Sequence, residues 1–180
     1  MNGTKLAGGP TQDEIMAVSL AKLGLLATDT VLEIGCGTGK VSVAMAKTAK
    51  KVYSLDKRPE AISLSTENAR DAGMHNIEFF CMDALDFLKD DFIFDCAFLG
   101  GTQHIAEILP VLSKKVKRTI VINAVMISTL EHAVSTLKGL GTFTEVIQVQ
   151  VSRSYDIAGS IMFRPIDPVY IIVARGAACS

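Results

Sequence analysis

Val31-Leu32-Glu33-Ile34-Gly35-Cys36-Gly37-Thr38-Gly39 decides how this chain is read. An apolar run carrying one acid passes directly into alternating glycines, and a helical pattern opens at Lys40. That is a strand-to-helix turn. Its glycines let the backbone take positive φ and come close to a ligand. In an open parallel sheet, ligands bind at the carboxyl ends of the strands, where the strand order reverses. Spacing separates the ligand classes that use such a loop. A P-loop requires G-x-x-x-x-G-K-[ST]. Gly39-Lys40 fits its end, but Ile34 stands where the first glycine belongs and Val41 where the metal-binding hydroxyl belongs. A dinucleotide loop requires G-x-G-x-x-G. Here Lys40 takes the third glycine's place, and the glycine falls one residue early, at Gly39.

The rest of the chain alternates strand and helix. Strands are predicted over 30–34, 51–55 (ending at Asp56), 77–82, 94–99, 117–123, 143–151 and 168–174. Helices are predicted over 11–23, 40–49, 59–72, 103–113 and 128–138, with a short helical turn after Asp83. Thr11 and Glu14 read as a capping box behind Pro10, and Gly24 and Gly73 suit helix stops. Alternation of this kind builds right-handed βαβ units and a mostly parallel sheet. The last two strands lack a helix between them, so they are expected to pair antiparallel at one sheet edge. Their connection, 152–167, reads as a functional loop carrying Arg153, Tyr155 and Arg164.

With 180 residues, 49% hydrophobic and 21% charged, the chain is expected to form one folded domain spanning 1–180. No apolar run reaches the ~18 residues that span a bilayer, and no signal peptide is read at the start. A net charge of −1 argues against nucleic-acid and membrane partners. The cysteines Cys36, Cys81, Cys96 and Cys179 form no C-x-x-C pair, so no metal site is expected. They read as reduced, small buried side chains in a cytoplasmic protein. Lys114, Lys115, Lys117 and Arg118 read as cations complementing a helix end. His75 and His132 look structural or exposed.

The remaining reading of the loop, acidic-x-G-x-G-x-G, resembles motif I of the class I S-adenosylmethionine (SAM) methyltransferases. The physics agrees, because SAM has a sulfonium cation and no pyrophosphate, and Glu33 suits a cation. Asp56 ends the second strand, where its oxygens can accept both ribose hydroxyls. Asp83 ends the third strand and can accept from the adenine amino group, with the Ala84 N–H nearby. The competing reading makes Asp56 and Asp83 helix caps. The resemblance implies a Rossmann-like α/β fold: a seven-stranded, mostly parallel sheet with helices on both faces and an antiparallel edge hairpin. It also implies SAM contacts from Thr11, Glu33, Gly35, Cys36, Gly37, Thr38, Gly39, Asp56, Asp83, Ala84 and Gly100.

Flanking segments narrow the resemblance. Gly9-Pro10-Thr11-Gln12-Asp13-Glu14-Ile15 resembles the G-P-T-x-x-E-I opening of the CbiT family, the decarboxylating precorrin methyltransferases of cobalamin biosynthesis. Phe98-Leu99-Gly100-Gly101, Asn123-Ala124-Val125, Val151-Ser152-Arg153 and Asp167-Pro168-Val169-Tyr170-Ile171-Ile172 resemble further segments of that family. The resemblance implies methylation at carbon 15 of a precorrin or cobalt-precorrin, loss of carbon dioxide from the carbon 12 acetate, and a homotetramer. Family members often follow the G-G with small residues, whereas Thr102-Gln103-His104 follows here. His104 reads either as a proton donor or carboxylate ligand or as a surface or capping residue. Arg153 and Arg164 read either as bidentate grips on substrate carboxylates or as solvated surface charge. The rival functions are an RNA or protein methyltransferase on the same fold and a non-catalytic SAM-binding module.

Overall fold

A computed structural model describes residues 11–178 of the protein. Gly9, Pro10 and Cys179 lie outside the described residues. The elements run α1 (Asp13–Leu23), β1 (Thr30–Ile34), α2 (Lys40–Ala46), β2 (Lys51–Asp56), α3 (Pro59–Asp71), β3 (Ile77–Cys81) and α4 (Ala84–Phe87). They continue β4 (Phe94–Leu99), α5 (Ile105–Ser113), β5 (Val116–Ala124), α6 (Ile127–Gly139), β6 (Phe143–Val149), β7 (Ser152–Ile157), β8 (Ser160–Pro165) and β9 (Val169–Arg175). Among the described residues, the main sheet has seven strands in the order β3-β2-β1-β4-β5-β9-β6. Strands β1 to β5 pair in parallel, and β9 is antiparallel to both β5 and β6.

Near-continuous apolar strands follow from burial on both faces. One face of the sheet packs Leu109, Leu112, Ala133 and Leu137 of α5 and α6 against Leu32, Ile120 and Ile122. The other packs Ile15, Leu23, Val41 and Met45 of α1 and α2 against Val31, Val121 and Ile171. The strand order reverses at β1 and β4, so the connections that leave their carboxyl ends diverge toward opposite faces of the sheet. That divergence is the crevice in which open α/β sheets bind ligands.

The structure corrects several expectations. Connection 152–167 is not a loop: β7 and β8 form a separate two-stranded antiparallel sheet. Its turn places Ala158 at φ +47° and Gly159 at φ +75°. Positive φ at both central residues matches the twist of a tight hairpin. The capping box does not form. Gln12 is the N-cap of α1 and makes no side-chain cap bond, and Glu14 pairs instead with Arg153 at 2.7 Å. Lys117 and Arg118 belong to β5, not to a helix end. Lys117 pairs with Asp95, and Arg118 grips the buried Asp29 through Nη1 and Nη2 at 2.7 and 2.8 Å. Cys36 and Cys96 are buried as expected, but Cys81 is exposed.

Candidate active site

A cleft of about 400 Å³ opens at the carboxyl ends of β1 and β4, within the size range of small-molecule sites. The glycine loop forms part of its wall. Gly35, Gly37 and Gly39 adopt φ of +83°, +55° and +74°. A Cβ on Gly35 would meet Gly101 N at 2.4 Å, and one on Gly39 would meet Ser65 Cβ at 2.7 Å. A Cβ on Gly37 would meet nothing within 4 Å among the described residues. The first and third glycines are therefore required by packing, and the second leaves free space on the cleft side. The N–H groups of Gly35 and Cys36 donate to Leu55 O at 2.8 and 3.0 Å, tying the loop to β2. Asn68 Nδ2 donates to Thr38 O at 2.9 Å, tying it to α3.

Glu33 is fully buried on β1 and reaches the cleft wall. The hydroxyls of Ser42 and Ser54 both donate to its Oε2, that of Ser54 at 2.9 Å. Burial pushes its pKa up from 4.5 to about 7; the two serines resist that shift, and the Asp56 charge adds to it. A carboxyl poised in this way gains most from a cation placed beside it.

Asp56 ends β2 and is 6% exposed. Its Oδ2 accepts from Gly37 N–H at 3.0 Å and its Oδ1 from Arg58 N–H at 3.1 Å. The Arg58 guanidinium adds Nε to Oδ1 and Nη2 to Oδ2, both at 2.9 Å. Burial works to raise the pKa of Asp56, but these bonds outweigh it and hold the carboxyl below its ordinary range.

The cleft gathers Thr11, Glu33, Gly35, Cys36, Gly37, Thr38 and Gly100 of the residues expected there. Thr11 is placed by Lys40, whose Nζ donates to Thr11 O at 2.7 Å and pairs with Asp13 at 2.8 Å. Gly39 lies behind the loop as the N-cap of α2. Asp83 caps α4, its Oδ1 accepting from Leu85 N–H at 2.8 Å, and Ala84 is buried behind it. His104 sits at the start of α5 with φ +57°, exposed, its Nδ1 3.2 Å from Glu107. Arg153 is held by Glu14, and Arg164 lies over the Tyr155 ring at 4.8 Å. Neither arginine lines the cleft, although Ile166 and Asp167, just beyond Arg164, do.

Residues not anticipated as site residues also meet there. Arg58 lines the cleft in front of Asp56. Asn123, at the end of β5, lines it too, and its Nδ2 is buried with no partner among the described residues. The N-A-V resemblance pointed at Asn123 without assigning it a role. Val125, Met126 and Ile127 beside it are 61%, 62% and 69% exposed. Three consecutive apolar side chains are thus presented to solvent at the lip of the cleft. Exposed patches of this kind mark binding surfaces.

The precorrin methyltransferase domain model matches residues 5–175. A Methanosarcina mazei protein named as a probable cobalt-precorrin-6B C(15)-methyltransferase (decarboxylating) is 44% identical over 175 residues, covering 94% of this chain and 95% of that one. A Methanosarcina acetivorans protein of the same name is also 44% identical, covering 96% and 97%. Among solved structures, the precorrin-8w decarboxylase of Methanobacterium thermoautotrophicum superposes with a TM-score of 0.88 at 28% identity, covering 92% and 91% of the two chains. The precorrin-6y C5,15-methyltransferase of Geobacter metallireducens gives 0.89 at 28% identity, covering 96% and 94%. The switch-point cleft, the glycine loop and the two acids beside it thus lie in a chain that belongs to the precorrin methyltransferase family.

Proposed function

We propose that the protein methylates carbon 15 of a precorrin or cobalt-precorrin, with SAM as methyl donor, and promotes loss of carbon dioxide from the carbon 12 acetate. The observation that carries this reading is the pairing of two features in one cleft. A glycine loop flanked by buried acids suits the cofactor, and an apolar lip suits the face of a conjugated macrocycle. SAM supplies an electrophilic methyl on a sulfonium cation. Glu33 would favour that cation, Asp56 would accept from the ribose hydroxyls, and Gly37 would leave space for the group. Asp83 and Ala84, at the start of α4, would take the adenine. The macrocycle carbon is its own nucleophile, so the protein's chief task is alignment at about 3–3.5 Å. On decarboxylation the electron pair of the broken carbon–carbon bond enters the conjugated ring, and a proton is added. His104 is the donor we assign to that proton, and Arg153 and Arg164 are assigned to the peripheral carboxylates. Neither nucleic acid nor a membrane enters this reading. The free thiols of Cys36, Cys81 and Cys96 suit a reducing compartment, the cytoplasm.

The test is incubation of the purified protein with SAM and a precorrin, read by mass spectrometry. Gain of one methyl and loss of carbon dioxide support the proposal. Methylation of RNA or protein with the tetrapyrrole untouched overturns it. Within this reading, Asp56→Ala removes both ribose acceptors and the anchor of the Gly37 N–H. Charge-assisted bonds are each worth ~1.5–3 kcal/mol, so SAM affinity should fall about a hundredfold. Unchanged affinity by calorimetry removes Asp56 from the cofactor site.

The family resemblance to a homotetramer also finds support. On the β7–β8 hairpin, Ile161 and Phe163 are 66% and 68% exposed, and Met162 and Ile157 are also exposed. A projecting hairpin with that much apolar surface suits assembly of copies through it. Phe163→Asp should lower the mass measured by light scattering. A mass that stays that of a tetramer moves the interface elsewhere, and a monomeric wild type ends the idea.

A further inference from the structure

The Asp56 carboxylate is fully subscribed. An ionised carboxylate offers about four lone-pair sites, and Asp56 accepts four hydrogen bonds, from Gly37 N–H, Arg58 N–H, Arg58 Nε and Arg58 Nη2. The two backbone donors fix the orientation of the carboxylate and belong to the folded chain. The two guanidinium donors come from a side chain that is 33% exposed and lines the cleft. They form a fork, one N–H to each oxygen, which is the pattern two adjacent hydroxyls of a ribose present. Asp56 itself is 4% exposed as a side chain. The guanidinium therefore stands between the cofactor's acceptor and the cleft.

We infer that Arg58 occupies the ribose-diol seat on Asp56 in the ligand-free protein, and that cofactor binding exchanges the fork for the diol. This inference rests on the SAM reading above. The exchange keeps Asp56 ionised and satisfied throughout, since one pair of donors replaces another. It also sets a cost on binding: apparent affinity is reduced by the fraction of molecules in which the seat is open. The cost falls only on ligands that need the seat, so Arg58 lowers the preference for a ribose with both hydroxyls over one without them.

The experiment compares wild type with Arg58→Met, which keeps a long side chain and removes the fork, and Arg58→Lys, which keeps the charge. The probes are S-adenosylhomocysteine and its 2′,3′-dideoxy analogue, titrated by calorimetry into protein shown to be folded by circular dichroism. With the seat open in about a tenth of molecules, Arg58→Met tightens S-adenosylhomocysteine roughly tenfold and leaves the dideoxy analogue within about twofold. Arg58→Lys falls between. In wild type, the Arg58 Nε–H resonance shifts on adding S-adenosylhomocysteine and holds on adding the dideoxy analogue. No binding of S-adenosylhomocysteine to wild type at all defeats the SAM reading itself. Binding to wild type with unchanged or weaker binding to Arg58→Met overturns the exchange. An unmoved Nε–H signal in wild type overturns it without any variant.

Discussion

Gly35→Ala is expected to cost about 3–5 kcal/mol and to abolish cofactor binding. The new Cβ would lie 2.4 Å from Gly101 N and 2.6 Å from Gly101 Cα. These are backbone atoms, and they cannot swing aside as a side chain would. They are also pinned, because the N–H groups of Gly100 and Gly101 both donate to Ile34 O at 2.9 Å. The ends of β1 and β4 would have to separate, at the point where the cleft is built. Overpacking of a tight site costs about 1–3 kcal/mol and sometimes more, and a side chain at positive φ adds about 1–2. For a chain of this size the melting temperature should drop by roughly 10 °C or more. Gly37→Ala is the control: its Cβ meets nothing within 4 Å among the described residues, so stability should fall by only about 1 kcal/mol for the positive φ, while cofactor binding suffers. Equal melting curves for Gly35→Ala and wild type would show that the two strand ends are not in contact.

The second expected result is a stability that declines through neutral pH because of Glu33. Its carboxyl titrates near 4.5 when exposed and at about 7 when buried in the fold. The folded protein therefore holds a proton that the unfolded chain has given up. The stabilisation is complete below about pH 4.5 and is lost as pH rises through about 7. A shift of that size corresponds to about 3 kcal/mol, and about 2 of it falls between pH 5.5 and 8. Glu33→Gln keeps the shape and does not titrate, so its melting temperature should stay flatter across that range. A bound cation reverses the preference. Binding of SAM should expel the proton near pH 7, so affinity rises between pH 6 and 8 and the binding heat depends on the buffer. Parallel pH profiles for wild type and Glu33→Gln would place the titration elsewhere.

What the sequence made legible was the part written in local signals. Apolar runs located β1, with Glu33 inside it, and β2, which ends in Asp56; the alternating glycines located the loop, and Gly24 and Gly73 stopped helices at positive φ. What stayed hidden depends on partners distant in the chain. The β7–β8 turn carries Ala158 at a position that ordinarily announces itself with Asn or Gly, so the segment looked like a loop. Arg118 sat among lysines and looked like a helix-end charge, because its partner Asp29 lies 89 residues away. The capping box failed because α1 starts one residue later than Thr11 implies: Gln12 is the N-cap, so Glu14 stands one position short of closing a box and pairs with Arg153 of the hairpin instead. Nothing in the run Asp56-Lys57-Arg58 shows that the arginine folds back on the acid. Ser42 and Ser54, which set the environment of Glu33, come from two different elements and meet only in the fold.

The place of β9 in the sheet bears on how the protein is made. β9 is the last sheet strand to leave the ribosome, yet it lies between β5 and β6. The parallel half, from β3 to β5, can close on its own crossovers while synthesis continues. β6 cannot join it, because its neighbour in the sheet has not yet been translated. For about 50 residues after β5 is complete, several seconds at ~5–20 residues per second, the nascent chain carries an open, apolar strand edge. Val121 and Ile122 on that edge are fully buried once β9 arrives. Yield in a cell should therefore respond to the speed of elongation over codons 125–175 and to chaperones that shield strand edges, more than to the final stability of the fold.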